Sequence, residues 1–311
     1  MASPNRSPMA TVGIVAGLLA SLALTLWLLS RVDWSAALAA LLDIPAWTMA
    51  LATGLSAVSY LGLAGYDVIA VRACPGLRIP PATAGQGGAI AFGISNFLGF
   101  PWITGAAVRQ RIYRLSLADA GALVTIVSSG WLAFWLVVGL VCGAALALAQ
   151  VPAEALPPAL QPLAGAALLA VGGGILLALR EGHVVTVLGR EIRLLSRRLT
   201  LRQMACAVID LAASALVLFV LLPDEIRGPF LAFLGLFVVA VGLGVLSHIP
   251  AGVGSFEAVM ILGLQAGPGP GLTAGLLAYR MLRTVLPFLI ASLALLVVEA
   301  RPLPRTKVAT E

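Results

Sequence analysis

Charge is what this 311-residue chain has least of: Asp, Glu, Lys and Arg make up 10% of it, against about a quarter in ordinary soluble domains. That shortage excludes an ordinary water-soluble fold. Lysine is nearly missing, since Lys307 is the only one and the other basic residues are arginines. The net charge of +6 sits in short segments between apolar runs, where cytoplasmic charge bias accounts for it, so nucleic acid is not an expected partner. Two histidines, His183 and His248, are too few for a histidine-rich metal centre. Cys74, Cys142 and Cys206 are too widely separated for a metal or redox motif and read as apolar filling. There is no HExxH pattern, and GVGSFE at 252–257 has neither the lysine of a Walker A loop nor a Rossmann strand before it. No stretch outside the apolar runs exceeds about thirty residues, too short for an independently folding catalytic domain. No catalytic residue, metal or cofactor is therefore assigned.

Long apolar runs take the place of charge. Hydrophobic residues make up 60% of the chain and the mean hydropathy is +1.05. Runs at 11–30, 46–71, 119–149, 160–179, 203–222, 229–247 and 271–298 approach or exceed the roughly 20 residues that cross about 30 Å of hydrocarbon as helix. The run at 11–30 is longer than a signal-peptide core and more runs follow it, so it reads as a first transmembrane helix. Two further apolar segments, 82–101 and 250–266, are interrupted by glycine, proline and polar residues. The expected fold is all-α: a polytopic helical membrane protein with about seven to nine membrane segments, two of them broken or re-entrant. One integral membrane domain is expected over residues 1–311, with a short cytoplasmic N-terminus (1–10), an arginine-rich cytoplasmic loop (180–202) and a polar C-terminal tail (299–311).

That loop carries Arg180, Arg190, Arg193, Arg197, Arg198 and Arg202, and positive-inside bias anchors it in the cytoplasm. Its spacing also suits an interfacial amphipathic helix. Counting outward, 151–162 and 222–229 become external and 72–83 internal. Arg109, Arg111 and Arg114 are internal too only if segment 82–101 enters and leaves on the same side. The C-terminal tail is cytoplasmic if 250–266 crosses and external if it dips back.

The interrupted segments carry the chemistry. Asn96, Gly99, Pro101 and Gly105 fall in succession before three arginines, and HIPAGVGSFE at 248–257 sets His248, Pro250, Gly252 and Gly254 before Glu257. Glycine permits close backbone approach and proline removes a donor, so both stretches read as helix breaks. In hydrocarbon such backbone is tolerated only where protein or water encloses it, and a break can aim free N–H groups at an anion. A break in each half faintly suggests an internal pseudo-repeat of the kind transporters use. Asp210, Glu257, Arg280 and Arg283 are charges within apolar runs, where each needs a partner or an aqueous path. Three readings stand for the two arginines: an ion pair with Asp210 or Glu257, contact with a phosphate-bearing headgroup, or placement at the membrane surface. Arg109 and Arg114 divide between topology and a phosphate funnel, Asp67 reads as a span boundary, and Asp119 as a cap or an arginine partner. Asp210, Glu257 and His248 are the candidate charge partners or proton site, with Glu257 the choice for proton coupling.

Four stretches in order, GISNFLGFPWITGAAVRQRIY, VIDLAASALVLFVLLP, HIPAGVGSFE and LLAYRMLRTVLPF, resemble the transmembrane domain of lysylphosphatidylglycerol synthases, the family that includes the multiple-peptide-resistance proteins. The resemblance covers most of residues 10–300. Asn96, Gly99, Gly105, Arg109, Arg114, Asp210, Pro250, Gly252, Gly254, Glu257, Tyr279, Arg280 and Pro287 fall on matching positions, whereas Ala251, Val253, Ser255 and Arg283 depart from the family's usual residues. The resemblance implies a flippase-like role, moving a phosphate-bearing or otherwise charged amphiphile across a bacterial inner membrane. Arg280, Arg283, Arg109, Arg114 and Tyr279 would contact the headgroup. It implies a phospholipid, glycolipid or isoprenoid lipid as partner, and a lipid-biosynthetic enzyme as a further one. The synthase domain is absent from these residues, so no lysyl transfer is expected. The alternatives are a non-catalytic scaffold beside such an enzyme, or a membrane-embedded lipid transferase.

Overall fold

The computed structural model describes residues 34–74, 76–116, 119–148, 157, 159–179, 184–187, 190–247, 249–267 and 269–300. The apolar run at 11–30, the N-terminal residues 1–10, His183, His248 and residues 301–311 lie outside them. Helix α1 (Trp34–Leu42) precedes α2 (Ala46–Ala70), whose N-cap is Pro45, a residue with no N–H to leave unpaired. Then come α3 (Pro81–Leu98), α4 (Pro101–Ile112), α5 (Ala120–Ala147) and α6 (Gln161–Ala178). A short antiparallel pair, β1 (Val184–Val187) and β2 (Arg190–Arg193), pairs Val184 with Arg193 and Val187 with Arg190. The rest is α7 (Arg197–Leu221), α8 (Asp224–Arg227), α9 (Phe230–Leu246), α10 (Ser255–Leu264), α11 (Pro270–Arg280), a π-helical segment at Met281–Val285, and α12 (Leu286–Ala300).

Five described helical stretches are long and apolar enough to cross a membrane: Ala46–Ala73, Ala120–Ala147, Gln161–Ala178, Arg197–Leu221 and Pro270–Ala300. The chain is an all-α polytopic membrane protein, and the expected seven to nine segments reduce to these five among the described residues. The 229–247 run, expected to span alone, is the 17-residue α9. The amphipathic helix at 180–202 is replaced by the β1–β2 hairpin and the start of α7, because the β-branched run VVTV favours extended backbone.

Helices α2 and α7 form the centre and run antiparallel. Gln203 donates to the Tyr66 carbonyl at 3.0 Å near one end, while Ser59 meets Asp210 further along. Small residues allow this closeness, as is usual where lipid supplies no hydrophobic drive between helices. A methyl group on Gly62 would lie 2.8 Å from the Cys206 carbonyl oxygen and 3.1 Å from the Asp210 nitrogen. Helix α6 stands at the periphery and packs on α5 through Gly143 and Gly165.

Two helix hairpins are wedged against this centre. In the first, α3 and α4 fold back on each other at Gly99 and Phe100. Tyr113 at the foot of α4 reaches the Ala84 carbonyl in α3 at 2.9 Å, and Gly105 lies beside Ser95 nearer the tip. In the second, α9 and α10 fold back on each other, with Gly244 against Gly252 and Leu236 against Gly263. The hairpins enter from opposite ends. The foot of the first shares its end with Arg72, Arg197 and Glu299, the last paired with Arg111. The foot of the second shares its end with Pro223, which touches Gly271. Their tips meet midway, where α3 packs on residues 250–252.

A bulky residue at Gly62 should force α2 and α7 apart. We expect Gly62→Val to cost up to about 3 kcal/mol, the upper end for overpacking because the obstacle is backbone. A thermal melt in detergent should show a clear drop, and an unchanged melt would contradict this packing.

Candidate functional site

The two tips and the central helices enclose a cavity of about 190 Å³, several times the roughly 30 Å³ a water occupies in the liquid. Asp67, Arg109, Asp210, Arg280 and Arg283 line it, and every one of them is in an ion pair. Each pair joins different elements, so charge satisfaction and tertiary packing are one problem here.

Asp67, near the end of α2, takes a two-pronged fork from Arg109 of α4: Nε donates to Oδ2 at 2.7 Å and Nη2 to Oδ1 at 2.8 Å. Tyr113 Oη donates to Asp67 Oδ2 at 2.6 Å, and the guanidinium lies 4.8 Å from the Phe92 ring centre. Asp67 is 1% and Arg109 3% exposed. The second pair joins α7 to the π-helical segment. Arg283 Nη2 donates to Asp210 Oδ1 at 2.7 Å and its Nε to Ser214 Oγ at 2.8 Å. The Ser59 hydroxyl donates to the same carboxylate oxygen, and the Tyr60 ring faces the guanidinium.

The π turn explains how Arg283 comes to aim there. Leu286 N–H bonds back to Met281 and Pro287 has no N–H, so the Leu282 carbonyl loses its helical donor. Ser56 of α2 supplies one at 2.9 Å. Arg280 and Arg283, although only three residues apart, thereby reach different carboxylates.

Arg280 forms the third pair, its Nε donating to Glu257 Oε1 at 2.6 Å. It also clamps the second tip, with Nη1 on the Ala251 carbonyl and Nη2 3.4 Å from that of Gly252. Gly252 has φ +62°, and a methyl group on it would lie 3.2 Å from the Gly244 Cα, so a side chain there would be both strained and crowded. Glu257 Oε2 accepts the Gly254 N–H at 2.8 Å. The free N–H expected to receive a bound anion at this break is thus occupied by the helix's own carboxylate.

Of the sequence candidates, Asn96, Gly99, Pro101, Gly252, Tyr279 and the three arginines above line the cavity. Pro250 and Gly254 belong to the second tip, and Gly105 accepts a bond from Arg109 at 3.3 Å. Arg114 is not at the cavity: it stands at the foot of the first hairpin, beside Arg111 and Glu299. Asp119 holds Ser116 through its side chain and caps no N–H of α5. His248 lies outside the described residues. Asp67, which reads as a span boundary in the sequence, is a buried member of the site. The missed signal was local: Asp67 has Tyr66, Val68 and Ile69 around it, the same apolar setting that singled out Asp210. Tyr113, Ser59 and Ser214 gave no such signal, being ordinary residues until folding places them on a carboxylate. Among the described residues no group of His, Cys, Asp and Glu is placed to hold a metal ion.

Helices paired around enclosed polar groups, with hairpins meeting inside, define a polytopic membrane protein built around an internal charged cavity. No family model matches the chain. It is 28% identical over 277 residues to an uncharacterised protein of Synechocystis sp., covering 86% of this chain and 84% of that one. It is also 28% identical over 283 residues to the inner membrane protein YbhN of Escherichia coli, covering 87% and 86%. A shorter stretch of 86 residues is 35% identical to a phosphatidylglycerol lysyltransferase of Staphylococcus xylosus, 27% of this chain but only 10% of that protein. Over most of its length the chain is thus similar to YbhN, and over a shorter stretch to phosphatidylglycerol lysyltransferases, the likeness that the four sequence stretches also carry. It is a multi-pass inner-membrane protein. The lysyltransferase matches are too partial to include a full catalytic domain.

Burial makes the pairs interdependent. Arg109→Ala strands a carboxylate in the interior and should cost about 3–5 kcal/mol, whereas Arg111→Ala removes an exposed pair and should cost less than about 1 kcal/mol. Thermal melts of the two variants in detergent measure the contrast, and similar melts would contradict it.

Proposed function

We propose that this protein translocates an amphiphile with a charged, phosphate-bearing headgroup between the leaflets of the bacterial inner membrane. The observation that carries this reading is the cavity between the two hairpin tips, where Asp67, Arg109, Asp210, Arg280 and Arg283 supply polar partners. Moving a headgroup through hydrocarbon is costly because its charge loses water. A cavity of this size replaces that water for a small headgroup while the acyl tails stay in lipid. The arginine-rich end, with Arg72, Arg78, Arg197 and Arg198, is the cytoplasmic one by charge bias. The first hairpin is then re-entrant from the cytoplasm and the second from the outside. On this reading α11 and α12 together cross, which returns the C-terminal end to the cytoplasm.

The inverted hairpins give a route to alternating access, since loosening one tip opens the cavity to one side while the other stays closed. Arg280 is the natural control, because it ties the second tip to α11 through the Ala251 and Gly252 carbonyls. The cargo is a phospholipid, glycolipid or isoprenoid lipid, and an enzyme of lipid synthesis is the fitting neighbour.

The test is leaflet exchange of tail-labelled phospholipids in vesicles holding the purified chain. The wild type should accelerate exchange, and Arg280→Ala should reduce it by about tenfold or more, the order expected when a charged contact is lost, while remaining folded by size exclusion. No acceleration of any lipid by the wild type would favour a scaffold that binds lipid without moving it.

A further inference from the structure

The three pairs are not equivalent. Asp67–Arg109 and Asp210–Arg283 are sealed, with side-chain exposures of 1% and 4%, and 9% and 9%. Hydroxyls of Tyr113, Ser59 and Ser214 reinforce them. Glu257–Arg280 has side-chain exposures of 20% and 17%, no hydroxyl partner among the described residues, and a place on the broken tip. It is the pair a ligand can enter. Three guanidiniums and two carboxylates line the cavity, and Glu257, paired with the lining Arg280, supplies the third negative charge, so the paired site offers no surplus positive charge to an anion.

These two facts select a cargo. A purely anionic headgroup that takes Arg280 leaves Glu257 without its partner and beside a second negative charge, in surroundings that screen poorly. A purely cationic one strands Arg280 in the same way. A headgroup with one charge of each sign satisfies both, replacing a single internal pair by two. We propose that the cavity selects headgroups carrying one phosphate and one ammonium, with phosphate oxygens accepting from Arg280 and the ammonium donating to Glu257. Such a ligand also draws Arg280 from the Ala251 and Gly252 carbonyls, so its binding releases the second tip. The inference rests on the translocation reading and narrows its substrate class to aminoalkyl phosphate headgroups.

Tail-labelled phosphatidylethanolamine, phosphatidylglycerol and diacylglycerol, followed at pH 7 in vesicles holding the full chain, give the direct test. The ethanolamine lipid should cross at least about tenfold faster than the glycerol lipid, the order expected when a mismatched charge is left unpaired. Glu257→Gln keeps an oxygen for the Gly254 N–H but loses the negative charge, and should bring the ratio towards one. Glu257→Asp should keep its direction. Equal or faster movement of the glycerol lipid in the wild type, or a ratio unchanged in Glu257→Gln, would overturn the inference and leave the translocation reading standing. Detergent melts with the water-soluble glycerophosphoethanolamine and glycerophosphoglycerol read selection without transport. Stabilisation by the first alone, with no lipid moved, would sink translocation and keep the selectivity. Stabilisation by neither or by both equally would remove the selectivity.

Discussion

An arginine cannot stay charged inside a membrane protein without an opposite charge within reach, and this fold is arranged to meet that condition three times. Arg109 draws α4 to α2, Arg283 draws the π-helical segment to α7, and Arg280 holds the second hairpin tip to α11. Each arginine also lies over an aromatic face, of Phe92, Tyr60 and Phe256 respectively. These rings fix the planes of the guanidiniums at little polar cost. The central α2–α7 contact then supplies two of the three carboxylates, which explains why its small residues are needed: Gly62 and the backbone of Asp210 must nearly touch for Asp210 to reach Ser59.

The same condition shapes the backbone. A π turn at 281–285 rotates Arg283 away from the line of Arg280, and Ser56 satisfies the carbonyl that this turn leaves free. At the second break, Ala251 and Gly252 adopt left-handed backbone, and Arg280 binds the two carbonyls that point out of the turn. Strained conformations of this kind persist only where their surroundings over-determine them, and here the clamp is a charge already needed elsewhere. Structural pairing and ligand contact are therefore not rival accounts of Arg280. The pair holds the second tip in place, and on the proposed reading its partial exposure is what would let a ligand compete for it.

Much of this was legible in the sequence. Helices long enough to span and the two breaks at Gly99–Pro101 and Pro250–Gly254 were readable from the apolar runs and the residues that interrupt them, whereas an ion pair of Arg280 with Asp210 or Glu257 was one of three open readings. The hairpin pairing was half legible. Charge bias required the first segment to turn back, but nothing in α9 distinguished a 17-residue hairpin arm from a short span, because length alone does not say what a helix packs against. At the β1–β2 hairpin the apolar spacing also suits an interfacial helix, but the β-branched run at 184–187 carries the better signal. Asp67 was passed over since it stands close to the end of its run, and only the return of α4 shows it to be buried. Arg114 was included by proximity to Arg109, yet five residues along a helix and past its end bring it to a different surface.

The central claim is that buried charges here are bound to one another, so that losing both members of a pair is milder than losing one. The most direct measurement is a double-mutant cycle on Asp210 and Arg283, with Asp210→Asn, Arg283→Gln and the two combined, read as thermal stability in detergent. The account predicts that the double variant is more stable than the sum of the single losses implies, by about 1–3 kcal/mol. Strictly additive losses would mean that the two charges do not depend on each other, and would contradict it.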